Sequence, residues 1–175
     1  MGRHRLQIVQ ERHKFSAAHM TVFPDGSKER LHGHNFQLTL RLWVRSVALP
    51  DLCDFSVLKR AMAELCGELN ERTLVALGNP HLRVTVESLS EGETQPGRDL
   101  VHLSHPDGEY LLPRSDVVLL PVDNVTAEQL AVWAHGELCR RLRGKLPEVV
   151  ESLEVTVLET PGQGASYEAP MDRDR

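Results

Sequence analysis

The stretch HGHNFQLTLRLWVR, residues 32–45, carries the most regular pattern in the chain. From Phe36 onward apolar and polar residues alternate, and a period of two is typical of a β-strand with one buried face. The residues expected on the buried face are Phe36, Leu38, Leu40, Leu42 and Val44. The opposite face is expected to hold Gln37, Thr39 and Arg41. The pattern therefore predicts a sheet with one side turned toward a core.

A second strand is predicted directly upstream, over residues 6–20. Its alternation is imperfect, and the residues that share one face are Val9, His13, Phe15, Ala17 and His19. Between the two strands, residues 21–31 contain Pro24, Asp25 and Gly26, which favour a turn or loop. We therefore expect the two strands to form an antiparallel pair.

Two helices are predicted further along the chain. Asp54 is a suitable N-cap for a helix that begins at Phe55 and runs to about Leu69, with apolar residues at spacings of three and four. Thr126 and Gln129 form a capping box, which predicts the start of a second helix.

The segment between the helices is less regular. Short apolar stretches alternate with turn residues, and we expect a β-hairpin at residues 106–108 and a flexible linker near residues 90–98. After the second helix, residues 152–160 predict a last strand. The polar residues 169–175 are expected to form a disordered tail.

The element order indicates an α+β fold with a single domain over residues 1–168, which includes an extended irregular or hairpin segment at about 81–121. Helices on one side of an antiparallel sheet cover one sheet face. The other face then needs a partner, so the pattern favours an oligomer.

Composition excludes several classes of protein. The chain has 175 residues, of which 41% are hydrophobic and 26% charged, and its net charge is −5. An acidic chain is a poor fit to nucleic acid, and no apolar run approaches the roughly 20 residues that span a bilayer. The first ten residues lack the apolar core of a secretory signal, and three cysteines are too few for a disulfide scaffold. We expect a cytoplasmic protein.

Three of the nine histidines suggest a metal site. His32 and His34 are two residues apart on the predicted strand, so their side chains leave the same face. His19 ends the preceding strand, and pairing would bring it alongside. Three neutral imidazoles with an open fourth position describe a catalytic zinc site, although imidazoles also suit iron, nickel and copper. The alternative is that each histidine is an ordinary surface or core residue.

Glu159 shares the parity of the apolar residues Leu153, Val155 and Val157 and projects from the end of the last strand. A carboxylate in such a position needs several N–H donors, which an arginine or a guanidine-like heterocyclic edge would supply. The alternative is a strand-end glutamate that turns to water.

Five segments together resemble the 6-pyruvoyl-tetrahydropterin synthase / 6-carboxy-tetrahydropterin synthase family, in the family's order and over most of the chain. The five segments are FSAAH (15–19), LHGHNF (31–36), DFSVLK (54–59), DNVTAEQLAVW (123–133) and VTVLET (155–160) with Tyr167 beyond it. The resemblance implies the T-fold (tunnelling fold), an antiparallel sheet with two helices on one face. It further implies three subunits that close a barrel and two barrels stacked into a homohexamer.

The resemblance also assigns residues. It implies Zn²⁺ on His19, His32 and His34, and a pterin substrate held by Glu159 near Thr126 at a subunit interface.

One departure from the family concerns the catalytic nucleophile or base. Family members that make 6-pyruvoyl or 6-carboxy products carry a cysteine shortly before HGH, and this chain has none there. Instead Glu29 stands three residues before His32. That spacing resembles the type III subgroup, which cleaves the side chain of 7,8-dihydroneopterin triphosphate to 6-hydroxymethyl-7,8-dihydropterin. Glu29 would then be the base, and the alternative is a solvated loop charge.

A second departure concerns the acid–base pair at the end of the first helix. The family usually has Asp-His there, whereas this chain has Asn70 and Glu71. Glu71 is one candidate replacement. The other candidates are His81, His102 and His105.

Four hypotheses follow for the function. The first is a zinc-dependent pterin lyase of the glutamate subgroup. The second is a 6-carboxy- or 6-pyruvoyl-tetrahydropterin synthase-like enzyme that acts on a related pterin and makes a different pterin or a deazapurine precursor. The third is a pterin- or metal-binding protein that has lost catalysis, and the fourth is a zinc hydrolase that does not act on pterins.

Overall fold

The computed structural model describes residues 2–87 and 99–171. The chain forms two compact units. The first comprises the described residues of Met1–Ser16, His34–Asn70 and Ala127–Arg175, and the second comprises those of Ala17–Gly33 and Glu71–Thr126.

Strands and helices occur in the order expected of a mixed α+β chain. The strands are β1 (His4–Ile8), β2 (Lys14–His19), β3 (His32–Val44), β4 (Arg72–Ala76), β5 (Arg83–Glu87), β6 (Leu100–His105), β7 (Gly108–Pro113), β8 (Val117–Leu120), β9 (Val150–Thr160) and β10 (Gln163–Pro170). The α-helices are α1 (Phe55–Leu69) and α2 (Ala127–Leu142). Short 3₁₀ turns cover Leu49–Asp51 and Arg114–Asp116.

Strand β3 is the centre of the first unit. It pairs antiparallel with β1, from His4 opposite Val44 to Ile8 opposite Leu40, and antiparallel with β9. Strand β10 pairs antiparallel with β9. The predicted buried face is confirmed, because the side chains of Phe36, Leu38, Leu40, Leu42 and Val44 are all buried. Helix α2 packs on β9 and β10, and α1 packs on α2.

The predicted strand over residues 6–20 is wrong as a single element. The structure has β1 and β2 with a turn between them, which the His13 N–H closes by donating to the Gln10 carbonyl at 3.0 Å. Val9 lies in this break and is 49% exposed. The predicted face holds on the other side of the turn, where His13, Phe15, Ala17 and His19 are buried. The irregular alternation near Val9 therefore marked an interruption of the strand, after which the chain continues along β3, where the Leu38 N–H donates to the His13 carbonyl at 2.8 Å.

Both helices begin where the sequence predicts. The Asp54 carboxylate accepts from the Ser56 N–H at 2.7 Å and caps α1, which spans Phe55–Leu69. Helix α2 begins at Ala127, directly after Thr126.

The expected disordered tail is wrong at its beginning. Ala169 and Pro170 belong to β10, and the Met171 N–H donates to the Glu151 carbonyl at 3.1 Å. Strand β10 is mostly exposed and has no apolar alternation, so backbone pairing with β9 and packing against α2 order it. Residues 172–175 lie outside the described residues.

The second unit adds parallel pairing that the sequence pattern did not predict. Strand β4 pairs in parallel with both β2 and β8. Strands β5, β6 and β7 form a separate three-stranded antiparallel sheet, and its β6–β7 turn confirms the hairpin predicted at residues 106–108. The linker predicted near residues 90–98 lies outside the described residues. One side of this small sheet, with Val101 and Leu103, packs into a cluster that contains Met20, Val75 and Val117.

Cys53, Cys66 and Cys139 are all free thiols. Within residues 2–87 and 99–171, neither helix is long and apolar enough to cross a membrane.

Candidate metal centre

Three histidine side chains meet where β2 ends and β3 begins. Each of His19, His32 and His34 offers one ring nitrogen, and these nitrogens all lie within 4.8 Å of one another. The rings of His19 and His32 are tilted against each other with centroids 4.7 Å apart. His19 is buried, whereas His32 and His34 are half-buried. The predicted grouping of the three histidines is therefore present in the structure.

Backbone carbonyls determine which ring nitrogen carries the proton in two of these histidines. His19 Nδ1 lies 2.8 Å from the Val125 carbonyl, and His32 Nδ1 lies 2.7 Å from the Arg30 carbonyl. A carbonyl oxygen only accepts hydrogen bonds, so Nδ1 carries the proton in each ring. The lone pair is then on Nε2, which is the usual arrangement of a histidine prepared for a metal.

The donor set fits a small divalent cation. Three imidazoles supply borderline ligands that suit Zn²⁺, and a fourth position would be open to substrate or water. Iron, nickel and copper also accept imidazole, so the donors define a metal site more firmly than they define the metal. Among the residues that the structure describes, no aspartate, glutamate or cysteine joins this group.

Glu29 lies on the loop that leads into His32. Its backbone N–H donates to the Thr21 carbonyl at 2.9 Å, and its carboxylate accepts from the Thr21 N–H at 3.3 Å. Hydrogen bonding from Thr21 lowers the pKa of Glu29, burial opposes this, and the nearby His32 and His19 rings lower the pKa further. Glu29 is therefore a carboxylate at neutral pH, beside the histidines.

The other candidate carboxylate occupies a different setting. Glu71 directly follows Asn70, the C-cap of α1, and has a left-handed backbone with φ 57°. Its side chain is exposed, and within the described ranges it takes part in no hydrogen bond or ion pair. Asn70 accepts from the Ser16 N–H at 2.9 Å through its side chain, which ties the end of α1 to β2.

The cysteines are placed as structural residues. Burial raises the pKa of the Cys66 thiol to about 12, and burial beside Asp54 also raises the pKa of Cys53. Cys139 is buried in α2. Thiols with raised pKa values are poor nucleophiles at neutral pH, because the thiolate is the reactive form.

Glu159 and Thr126 occupy the positions that the sequence predicts for them. Glu159 is the penultimate residue of β9, and its Oε1 lies 3.6 Å from His34 Nε2. Its side chain is 17% exposed, so the carboxylate is partly desolvated and close to one of the three histidines. Thr126 is half-buried immediately before α2.

The three remaining histidine candidates lie in the second unit, His81 shortly before β5 and His102 and His105 on β6. The ring of His81 lies against Gly26, and His105 Nε2 lies 2.9 Å from the Gly26 carbonyl. His102 faces the opposite side of β6, with Nε2 3.5 Å from Glu109 Oε2. That side borders a polar cavity of about 330 Å³.

Sequence reasoning missed the residues that fix the loop between β2 and β3. The Asn124 side chain accepts from the Val22 N–H at 3.1 Å and donates to the Val22 carbonyl at 2.8 Å. Asn124 is 102 positions from Val22, so no local pattern could reveal this pairing.

Known proteins resemble this chain in both sequence and fold. The 6-pyruvoyl tetrahydropterin synthase family matches residues 8–170. A protein of Methanocaldococcus jannaschii, named provisionally as a 6-carboxy-5,6,7,8-tetrahydropterin synthase, is 28% identical over 155 residues, which cover 88% of each chain. The 6-pyruvoyl tetrahydropterin synthase of Plasmodium vivax superposes with a TM-score of 0.82 at 23% identity, over 97% of this chain and 99% of that one.

The Plasmodium falciparum protein of the same name gives a TM-score of 0.82 at 21% identity, over 96% of this chain and 98% of that one. At such identities the two structures establish the fold, and they confirm the α+β T-fold expected from sequence. The match over residues 8–170 establishes the family. The chain therefore belongs to the 6-pyruvoyl tetrahydropterin synthase family and is a tetrahydropterin synthase-like lyase.

Proposed function

We propose that the protein is a zinc-dependent pterin lyase that converts 7,8-dihydroneopterin, free or as its triphosphate, to 6-hydroxymethyl-7,8-dihydropterin. The observation that carries this proposal is the identity of the ionisable group held in the loop before His32, apart from Glu159, which lies beside His34. That group is the carboxylate of Glu29, held by Thr21 next to His19 and His32. The cysteine expected of 6-pyruvoyl and 6-carboxy producers is missing from this loop.

His19, His32 and His34 would hold the metal through one ring nitrogen each. A bound Zn²⁺ would polarise the side-chain hydroxyl oxygens of the substrate and make their protons more acidic. This matters for Glu29, because a carboxylate with a lowered pKa is a weak base. Such a base is adequate for an acidified hydroxyl and inadequate for an ordinary one.

The reaction is a retro-aldol cleavage of the pterin side chain. Glu29 takes the proton from the C2′ hydroxyl, the C1′–C2′ bond breaks, and C2′ leaves as the aldehyde of a two-carbon fragment. The bonding electrons pass to C1′, which is conjugated with the pterin ring, and C1′ then takes a proton. C1′ keeps its hydroxyl, so the product is the 6-hydroxymethyl pterin, with no external oxidant or reductant.

Glu159 is proposed as the anchor of the pterin ring, with Thr126 beside the ring. The amino-pyrimidinone edge of a pterin presents adjacent N–H donors, and a carboxylate can accept from two of them at once. The partial burial of Glu159 strengthens such hydrogen bonds, because less water competes for the carboxylate.

We predict that Glu159→Ala weakens pterin binding about a hundredfold, roughly 3 kcal/mol for two hydrogen bonds to a charged acceptor. Fluorescence titration with a dihydropterin measures the affinity, and elemental analysis measures the zinc. Zinc content should stay unchanged. Glu151→Ala is the matched control, since Glu151 lies on the same strand in looser ion pairs with Arg3 and Arg45 at 3.8 Å.

Two outcomes of that experiment would contradict the anchor role. Unchanged pterin affinity would remove it outright. Loss of zinc together with affinity would show that Glu159 acts by orienting His34, which lies 3.6 Å from it.

Two structures of the Plasmodium vivax enzyme lend support by precedent. They carry cysteine and alanine in place of a glutamate that is named as a catalytic residue, and each superposes on this chain with a TM-score of 0.82 at 22% identity. A catalytic glutamate is therefore compatible with this fold. Following the family resemblance, we also propose a homohexamer built from two trimeric barrels.

The second candidate is a 6-carboxy-tetrahydropterin synthase-like activity, which the name of the Methanocaldococcus jannaschii relative favours. Incubation of the zinc-loaded protein with dihydroneopterin and with its triphosphate separates the candidates by chromatography. A 6-hydroxymethyl product supports the proposed lyase, and a 6-carboxy or 6-pyruvoyl product identifies the alternative. Binding without any new pterin identifies a protein that has lost catalysis.

A further inference from the structure

The loop that carries Glu29 is a tight hairpin. Val22 and Lys28 form a β-bridge, and the Phe23 N–H donates to the Ser27 carbonyl at 2.7 Å. At its base the Glu29 N–H donates to the Thr21 carbonyl at 2.9 Å. We name residues 21–29 the Glu29 hairpin. An isolated two-stranded hairpin is marginally stable in water, so its geometry depends on what holds it from outside.

The three-stranded sheet β5–β7 holds the Glu29 hairpin at its tip and along one arm. His105 Nε2 lies 2.9 Å from the Gly26 carbonyl at the tip. On the arm, Lys28 Nζ lies 3.1 Å from the Tyr110 hydroxyl and 5.4 Å from the centre of the Tyr110 ring. Gly26 has φ +86°, and an added Cβ would lie 3.3 Å from His81 Nδ1. The tip is therefore fitted against this part of the protein.

The His105 ring is itself fixed on both sides. The Asp107 N–H donates to His105 Nδ1 at 3.1 Å, so Nδ1 is an acceptor and Nε2 carries the proton that goes to Gly26. The ring is buried, and Asp107 lies in the β6–β7 turn. The same sheet packs Val101 and Leu103 against Met20, the residue that follows His19. The small sheet therefore contacts the Glu29 hairpin at Gly26 and Lys28 and shares a hydrophobic cluster with Met20, at the start of the same segment.

We propose that His105 and Tyr110 are positioning residues, which hold the Glu29 hairpin so that the carboxylate stays at its working distance from the substrate. This inference rests on the proposed role of Glu29 as the base. Catalytic groups tolerate about 0.5 Å of misplacement, and an error near 1 Å costs about a hundredfold in rate. The small sheet then supports the Glu29 hairpin, in addition to packing on the hydrophobic cluster.

The matched variants are His105→Ala and His102→Ala. Both histidines lie on β6, but His102 points to the opposite face toward Glu109. We expect His105→Ala to lower kcat by 10- to 100-fold with KM changed less than threefold and zinc unchanged. His102→Ala should leave kcat within twofold of the wild type. His105→Gln keeps an N–H donor and should recover most of the lost rate.

Tyr110→Phe isolates the second contact. It removes the hydroxyl near Lys28 and keeps the ring, so we expect a smaller fall in kcat, about three- to tenfold. It also keeps the proposal testable if His105→Ala does not fold.

A readout without turnover separates this inference from the proposed function. Trypsin cuts after Lys28 and Arg30, and amide hydrogen exchange reports the same residues. His105→Ala should raise both rates at the Glu29 hairpin at least tenfold, with the rest of the chain unchanged, and His102→Ala should raise neither. If the wild type turns over no pterin, the proposed function fails, while this comparison still tests whether His105 holds the Glu29 hairpin in place. Unchanged protection in His105→Ala, or an equal effect of His102→Ala, would overturn the proposal.

Discussion

Replacing Glu29 with glutamine should abolish turnover while the variant still binds its pterin. Glutamine has nearly the same shape and keeps one acceptor oxygen for the Thr21 N–H, but it cannot take a proton from a hydroxyl. Loss of a positioned general base costs about 10²- to 10⁴-fold in rate. Steady-state turnover of dihydroneopterin triphosphate gives the rate, and fluorescence titration gives the affinity, which should change less than threefold.

Glu71→Gln is the control that makes this test specific. Glu71 is the other candidate base, and it lies exposed after α1 with a left-handed backbone. If Glu29→Gln loses turnover and Glu71→Gln keeps most of the rate, the base is Glu29. Near-normal turnover in Glu29→Gln together with loss of turnover in Glu71→Gln would move the base to Glu71 and contradict the proposed mechanism.

Substituting His32 or His34 with alanine should remove the bound metal. Each variant deletes one of three imidazole nitrogens that lie within 4.8 Å of one another, and two remaining ligands seldom retain Zn²⁺. The zinc content measured by elemental analysis after dialysis should fall from about one zinc per chain to less than about a tenth. Turnover should fall with the zinc and should not return when the wild-type amount of zinc is added back.

His4→Ala is the matched control for metal content. His4 is an exposed histidine on β1 and should leave the zinc in place. Full zinc content in both His32→Ala and His34→Ala would exclude the histidine site. If only one of the two variants kept its zinc, the histidine replaced in that variant would not be a ligand. Another residue would then have to supply the third ligand.

Local signals in the sequence predicted a large part of the fold. The alternation from Phe36 to Val44 and the cap at Asp54 depend on side chains close together in the chain, and both reappear as predicted in β3 and α1. The helix start after Thr126 and the hairpin at residues 106–108 are of the same kind.

Features that depend on distant partners could not be predicted. Strand β10 has no apolar alternation and depends on the edge of β9 for its backbone and on α2 for packing. The parallel pairs of β4 with β2 and β8 join segments that are far apart in sequence. The break between β1 and β2 left only a weak trace, the exposed Val9 in an otherwise acceptable strand pattern.

The candidate site likewise combines features that local sequence predicts with features that depend on distant contacts. The spacing of His32 and His34 predicts a shared face, and the E-x-x-H-G-H spacing places Glu29 just before the first of them. The contact between His105 and Gly26 spans 79 positions, and the Asn124 contacts with Val22 span 102. Such contacts set the geometry of a catalytic loop, and only the folded chain reveals them.

The fate of the substrate's carbon chain tests the central claim most directly. Zinc-loaded protein is incubated with 7,8-dihydroneopterin triphosphate, and mass spectrometry quantifies every pterin and every two-carbon fragment, with Glu29→Gln as the blank. The proposed lyase predicts 6-hydroxymethyl-7,8-dihydropterin and a two-carbon aldehyde in equal amounts, and neither from Glu29→Gln. A 6-pyruvoyl or 6-carboxy pterin as the product, or no new pterin at all, would contradict the proposed function.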